Sequence, residues 1–232
     1  MEVVGTLAAN LAEVRSRIDA AARRAGRDPA SVRLMAVTKG FPRETVLEAL
    51  EAGATLIGEN RVQEAESKLV DLTDRCEVHL IGHLQTNKAR AAAALFSCVQ
   101  SIDSVHTAAA LNGRCEERNR TLDVLLELNT SGEASKSGFP GVDELAACLD
   151  QVEELPQLRV RGLMTVGPLT GDQGAIRGAF ARLRQAFERL CVGRSGFDML
   201  SMGMSSDFEI AVEEGSTLVR VGTAIFGPRR QA

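Results

Sequence analysis

"RLMAVTKGFPRETVLEALEAGATLIGEN", residues 33–60, decides the fold. It opens on an apolar run of strand length and turns at "GFP". It then carries apolar residues at helical spacing through "RETVLEALEAG" (43–53), a segment closing on a glycine suited to a helix C-terminus. "TLIGEN" (55–60) is a second apolar run. Strands that are apolar throughout are buried on both faces, and a helix between consecutive strands makes their pairing parallel. The stretch is therefore a strand-helix-strand unit.

The unit recurs along the chain. Further apolar runs occupy 78–83, 95–103, 122–129, 158–166, 197–205 and 218–227, with helical periodicity in "DELAACLDQVEEL" (143–155) and "GAFARLRQAFERLCVG" (178–193). Eight strand-helix units in 232 residues predict a single-domain (β/α)8 TIM barrel of the α/β class over residues 1–232. An open doubly wound sheet fits less well, because no GxGxxG follows the first strand. Leu7, Leu11, Val14 and Ile18 share one helical face, so the N-terminal segment reads as a surface helix lying on the core, neither signal peptide nor membrane span.

A formal charge of -4, with no block of basic residues, gives no footprint for nucleic acid or an anionic membrane. Five scattered cysteines, none in a CxxC pair, indicate neither a disulfide framework nor a zinc site and favour a cytoplasmic location. The chain contains no Trp and no Tyr, which excludes a phenol of its own as proton donor.

In such barrels ligand chemistry gathers where the strands end, and phosphate sites are often built by the loops after strands seven and eight. Lys39, Asn60, His83, Asp103, Asn129, Thr165 and Ser205 each sit at or just past the close of an expected strand. In "SMGMSSDFEIAVEEG" (201–215), Ser205 or Ser206 is expected to cap the following helix and form an anion site. Gly222-Thr223 adds backbone that a phosphate can approach closely, together with a hydroxyl. Arg220 is two residues before Gly222, so strand alternation puts both on one face. A lone lysine at a strand end is ordinarily solvated. Lys39 beside a phosphate site instead suggests an amine that forms a Schiff base, which fits pyridoxal 5'-phosphate (PLP) or a lysine-type phospho-sugar aldolase.

The remaining polar candidates read as structural. His79 and His83 stand about 13 Å apart along a strand, too far for one metal ion, with His79 toward the opposite end of the barrel. His106 reads as a surface residue. "NTSGEASKSGF" (129–139) reads as a solvated loop on the rim and a candidate lid.

"AVTKG" with Lys39, "GENRVQE" (58–64), "HLIGHLQTNK" (79–88), "EASKSGF" (133–139), "LSMGMSSDFEIAVEEGST" (200–217) and "VRVGTAIFGPR" (219–229) together resemble the PLP homeostasis family, also called the YggS or PROSC family. The resemblance runs in order over nearly the whole chain. It implies a barrel like the N-terminal domain of alanine racemase (PLP fold type III), binding PLP with no established turnover and balancing the supply of cofactor. It also implies that Lys39 is the Schiff-base lysine, that Ser205, Gly222 and Thr223 hold the phosphate, that Asn60 lies beside the ring, and that Arg220 faces the pyridine nitrogen. PLP-dependent apo-enzymes become candidate partners, and a monomer is expected. Gly40 stands where the family often has a polar residue and Arg61 where many members have tyrosine, which bears on loop shape at the ring edge. The alternative is an amino-acid racemase. It would need a second base, because racemases of this type use a tyrosine from another domain.

Overall fold

The computed structural model describes residues 6–133 and 137–228. Eight parallel strands close into a barrel in the order β1 to β8: β1 Arg33–Val37, β2 Leu56–Glu59, β3 Glu77–Leu80, β4 Cys98–Ile102, β5 Leu122–Glu127, β6 Leu158–Met164, β7 Met199–Ser201 and β8 Leu218–Val221. β1 pairs with β8 to shut the ring, setting Met35 opposite Arg220. Between the strands run α2 Arg43–Glu51, α3 Val62–Leu69, α4 Ala89–Leu95, α5 Val105–Glu116, α6 Val142–Glu153, α7 Gln173–Leu190 and α8 Phe208–Glu213, with the short α9 Thr223–Phe226 after β8. Among the described residues no helix is long and apolar enough to cross a membrane.

Alternation along each strand separates two cores. The larger lies between barrel and helices and takes residues such as Ala36, Ile57, Val99, Leu126 and Val221. The barrel interior is filled by Met35, Val37, Leu56 and Leu218 on one side and by Cys98, Leu125 and Met164 on the other. The glycine of "GEN" belongs to this interior packing. A Cβ on Gly58 would lie 2.4 Å from Met35 Sδ, so the methionine occupies the space a side chain there would take.

α1, Leu7–Arg24, forms for the expected reason: Leu7, Leu11, Val14 and Ile18 make its buried face, and the Thr6 hydroxyl caps it through Ala9 N at 3.3 Å. Arg17 bonds to Glu209 of α8, and Asn10 Nδ2 donates to the Ile225 carbonyl of α9 at 2.9 Å. The helix thereby braces the elements flanking β8.

The strands are shorter than the apolar runs suggest. The last run, 218–227, is strand only to Val221, because Phe226 N already bonds to Gly222 O in helical fashion. The seventh run, 197–205, is strand only over three residues. It stops where Gly203 takes a φ of +94° and Met204 N donates to the Asp207 carboxylate at 2.5 Å. Neither Ser205 nor Ser206 caps α8 as expected. Asp207 occupies the cap position without a side-chain bond to the helix, since its carboxylate is committed to Met204.

Candidate functional site

Lys39 stands two residues past β1 in a turn closed by Phe41 N bonding to Thr38 O at 3.1 Å, and it is partly buried. Val37, two residues earlier, belongs to the barrel interior, so the strand delivers its chain end to the inner rim. Asn60 stands one residue past β2, the strand paired with β1. Its backbone is pressed against the β3 loop, where a Cβ on Gly82 would fall 2.2 Å from Asn60 O. That close approach requires glycine at 82 and explains the glycine in the "LIGH" segment.

Arg220 lies inside the barrel, 4% exposed. One guanidinium nitrogen donates to Ser201 Oγ at 2.7 Å and another to Thr165 O at 2.7 Å. Ser201 Oγ in turn donates to Gln100 Oε1 at 2.7 Å, which crosses the interior from β7 to β4. Gln100 Nε2 lies 2.8 Å from His79 Nδ1. Because the Gln100 oxygen already accepts from Ser201, its amide nitrogen is the donor, and the His79 proton sits on Nε2 facing Glu77 at 3.6 Å. A polarised chain therefore spans the barrel from Arg220 to His79, as a dry interior demands of its polar groups. Burial lowers the Arg220 pKa to about 10, with Glu127 and Asp207 opposing, so the guanidinium remains charged at neutral pH.

Glu127 ends β5, across the ring from β1, and is 7% exposed. Burial pushes its carboxyl up to about 7, opposed by the charge of Arg220 and assisted by Asp103. Among the described residues its carboxylate has no hydrogen-bond partner. Beside it on the rim His83 Nδ1 meets Asp103 at 3.0 Å.

Ser205 and the start of α9 form the third part. Ser205 Oγ accepts from Gly222 N and Ala224 N, both at 3.2 Å, so the serine expected to cap α8 instead gathers the backbone N–H groups that follow β8. Thr223 is exposed beside them. The six residues singled out from the sequence thus fall on one end of the barrel, in the loops after β1, β2, β7 and β8 and on β8 itself.

Other candidates separate as follows. His79 lies inside the barrel toward its N-terminal end, and His106 is exposed on α5. Among the described residues no group of three or more His, Cys, Asp or Glu is placed to hold a metal ion. The 129–139 loop is described at its ends, where Ser131 bonds to Asn129 Oδ1 and Phe139 N to Glu127 O; Lys136 lies outside the described residues. A cavity of about 410 Å³, lined by Leu128, Thr130, Arg182, Gln185 and Arg189, adjoins this loop between α6 and α7, outside the barrel. Sequence reasoning missed Gln100, Ser201 and Glu127. Their one signal is a polar side chain interrupting an apolar strand.

Residues 9–230 match the family model described as "Alanine racemase, N-terminal domain". A pyridoxal phosphate homeostasis protein of Pseudomonas aeruginosa is 45% identical over 227 residues, covering 97% of this chain and 97% of that one. The solved structure of PipY from Synechococcus elongatus with PLP bound is 37% identical, with a TM-score of 0.83 over 96% of this chain and 100% of that one. Alanine racemase of Clostridium difficile shares the fold at 12% identity and a TM-score of 0.77, this chain covering 58% of it.

Proposed function

The chain belongs to the alanine racemase N-terminal domain family and, within it, to the pyridoxal phosphate homeostasis proteins, and from that premise we propose that it binds PLP at the barrel mouth and serves cofactor balance. The observation that carries the reading is the convergence on one rim of an amine, a fixed guanidinium and a gathered set of backbone N–H groups. Such a set fits a ligand that is aldehyde, pyridine and phosphate at once. When bound, the cofactor supplies an aldehyde that bonds covalently to an amine and a ring that withdraws electrons from that centre.

The chain's own residues have distinct tasks in this reading. Lys39 supplies the amine. The Ser205 hydroxyl, the Gly222 N–H and Thr223 hold the phosphate, with Ser205 exchanging its present backbone donors for the anion. Asn60 flanks the ring. Arg220, held rigidly by Ser201 and Thr165, presents a fixed positive charge to the pyridine nitrogen and so disfavours its protonation. A ring kept unprotonated is a weaker electron sink, which suits holding the cofactor better than demanding carbanion chemistry.

In this reading the whole chain acts as one binding unit, a cytoplasmic monomer that handles PLP for apo-enzymes and does not turn over amino acids. A racemase reading requires a second base, and the chain has no tyrosine to supply it. The test is a visible absorbance spectrum of the purified protein before and after borohydride reduction, with peptide mapping of the reduced sample. A yellow protein whose reduced cofactor maps to Lys39, and a colourless Lys39→Ala variant that still folds, are expected. A wild-type protein that stays colourless with added PLP would overturn the reading.

A further inference from the structure

The turn that carries Lys39 is held on both sides by three ionisable side chains. Lys68, on α3, is 5% exposed. Its Nζ donates to Thr38 O at 2.8 Å and to Phe41 O at 3.0 Å, and pairs with Glu64 Oε1 at 2.9 Å and Glu59 Oε1 at 2.8 Å. Glu64 Oε1 also accepts from Gly40 N at 2.5 Å. Glu59, fully buried at the end of β2, receives the Thr38 hydroxyl. Residues 38, 40 and 41 are thus each tied to this triad.

The turn is anchored from its far side as well. The Phe41 ring packs on Phe226 of α9 with centroids 5.2 Å apart, so the Lys39 turn is indexed to the segment beginning at Gly222 and Thr223. The same contact ties the two ends of the proposed site to one another.

A buried ion triad is an inefficient source of stability. Its desolvation offsets most of its attraction, and apolar replacements of equal volume are often as stable or more so. Glu59 shows this cost directly: its Oε2 is buried without a hydrogen-bond partner among the described residues, and burial is the main cause raising its pKa. What such a cluster supplies is orientation. We infer that Lys68, with Glu59 and Glu64, is the positioning device that sets Lys39 for covalent capture of the cofactor. This rests on the PLP reading above and assigns a role to the two acidic residues of the "GENRVQE" stretch.

The consequence is a split between two kinds of binding. Pyridoxine 5'-phosphate has the ring and phosphate of PLP but an alcohol in place of the aldehyde, so it tests the cradle without the lysine. For Lys68→Met, attachment of PLP to Lys39, read by borohydride trapping and mass mapping across a PLP titration, should weaken by about tenfold or more. Affinity for pyridoxine 5'-phosphate should stay within about threefold in the same variant. Glu64→Ala, which removes the Gly40 acceptor at a less buried position, should weaken attachment by about threefold to fivefold, and Glu64→Gln, which keeps an oxygen there, should restore it. Equal losses for both ligands would mean general disruption and would overturn the inference, as would unchanged attachment in Lys68→Met. If that variant does not fold, unchanged attachment in Glu64→Ala overturns it alone. Wild-type protein that captures no PLP at Lys39 would instead sink the cofactor reading, and the inference with it.

Discussion

The two ends of the barrel treat charge in opposite ways. At the N-terminal end, Arg33 meets Glu77 at 2.6 Å, Arg159 and Arg161 share Asp123 at 2.7 and 2.9 Å, and Arg161 also bridges to Asp198 at 2.8 Å. Each of these three cations is paired with a carboxylate of the same rim, while Arg120 beside them donates to the Ala93, Ala94 and Phe96 carbonyls. At the mouth, Arg220 is held by a hydroxyl and a carbonyl, both neutral, while the Glu127 carboxylate has no hydrogen bond among the described residues. The cations named at the first end lie in carboxylate pairs, whereas at the second Arg220 is oriented by neutral partners and paired charges lie around it, at His83 with Asp103 and at Lys68 with Glu59. A guanidinium oriented in this way keeps its charge available to a polar ligand.

Arg220→Ala should break this contrast most severely. It removes a buried side chain and leaves the Thr165 carbonyl and the Ser201 hydroxyl without their donor, so stability in urea should fall by about 3 kcal/mol. A loss below about 1 kcal/mol would mean that the interior chain is not the scaffold of the mouth.

Glu127→Gln comes next, and its effect is read against pH. The folded carboxyl titrates near 7, whereas the unfolded one titrates near 4.5, so the folded state holds its proton to higher pH. The stabilising contribution is therefore complete below the unfolded value and is lost as pH rises through about 7. Its size is on the order of 3 kcal/mol or less. Wild-type melting temperature should decline over that window and the variant's should decline less; parallel curves would show that Glu127 titrates normally.

How much of this was legible in the sequence follows from what each residue depends on. Strand cores could be read because Val, Leu and Met runs need no tertiary context to be recognised as buried. Lys39 and Arg220 could be read by alternation, since a period of two is local. Gln100, Ser201 and Glu127 could not: β4 faces β7 only once the ring closes, so the partner that justifies a polar residue inside lies 101 positions away for Gln100 and Ser201. The expectation that Ser205 or Ser206 caps α8 failed for a local reason. Asp207 captures Met204 N first, which turns the chain so that Ser205 reaches the α9 segment and not α8. Lys68 sits at ordinary helical spacing after "GENRVQE", and nothing before folding distinguishes it from a solvated lysine.

On the closed end the expected effects are smaller. Asp123→Asn removes the carboxylate shared by Arg159 and Arg161, of which Arg159 is well exposed. Stability should fall by about 1 kcal/mol, less at high salt, because such pairs are screened. The spectrum of bound cofactor should not change, and a shift would mean that the two ends are coupled through the interior chain.

Glu77→Gln should have the smallest effect and the opposite pH sense to Glu127. Its carboxyl is held down at about 2, by His79 and by Arg33. At 3.6 Å the His79 contact is longer than a hydrogen bond, and burial keeps that imidazole from charging, so Arg33 at 2.6 Å is the firmer hold. A carboxyl depressed in the folded state contributes stability above its unfolded value of 4.5, and loses it as pH falls toward about 2. Glu77 and Arg33 are about half exposed, so the pair should contribute only a few tenths of a kcal/mol. Acid titrations of wild type and variant should therefore separate slightly above pH 4.5 and converge below it. A separation as large as that for Glu127 would mean that charge at the closed end is as consequential as at the mouth, and the contrast between the two ends would fail.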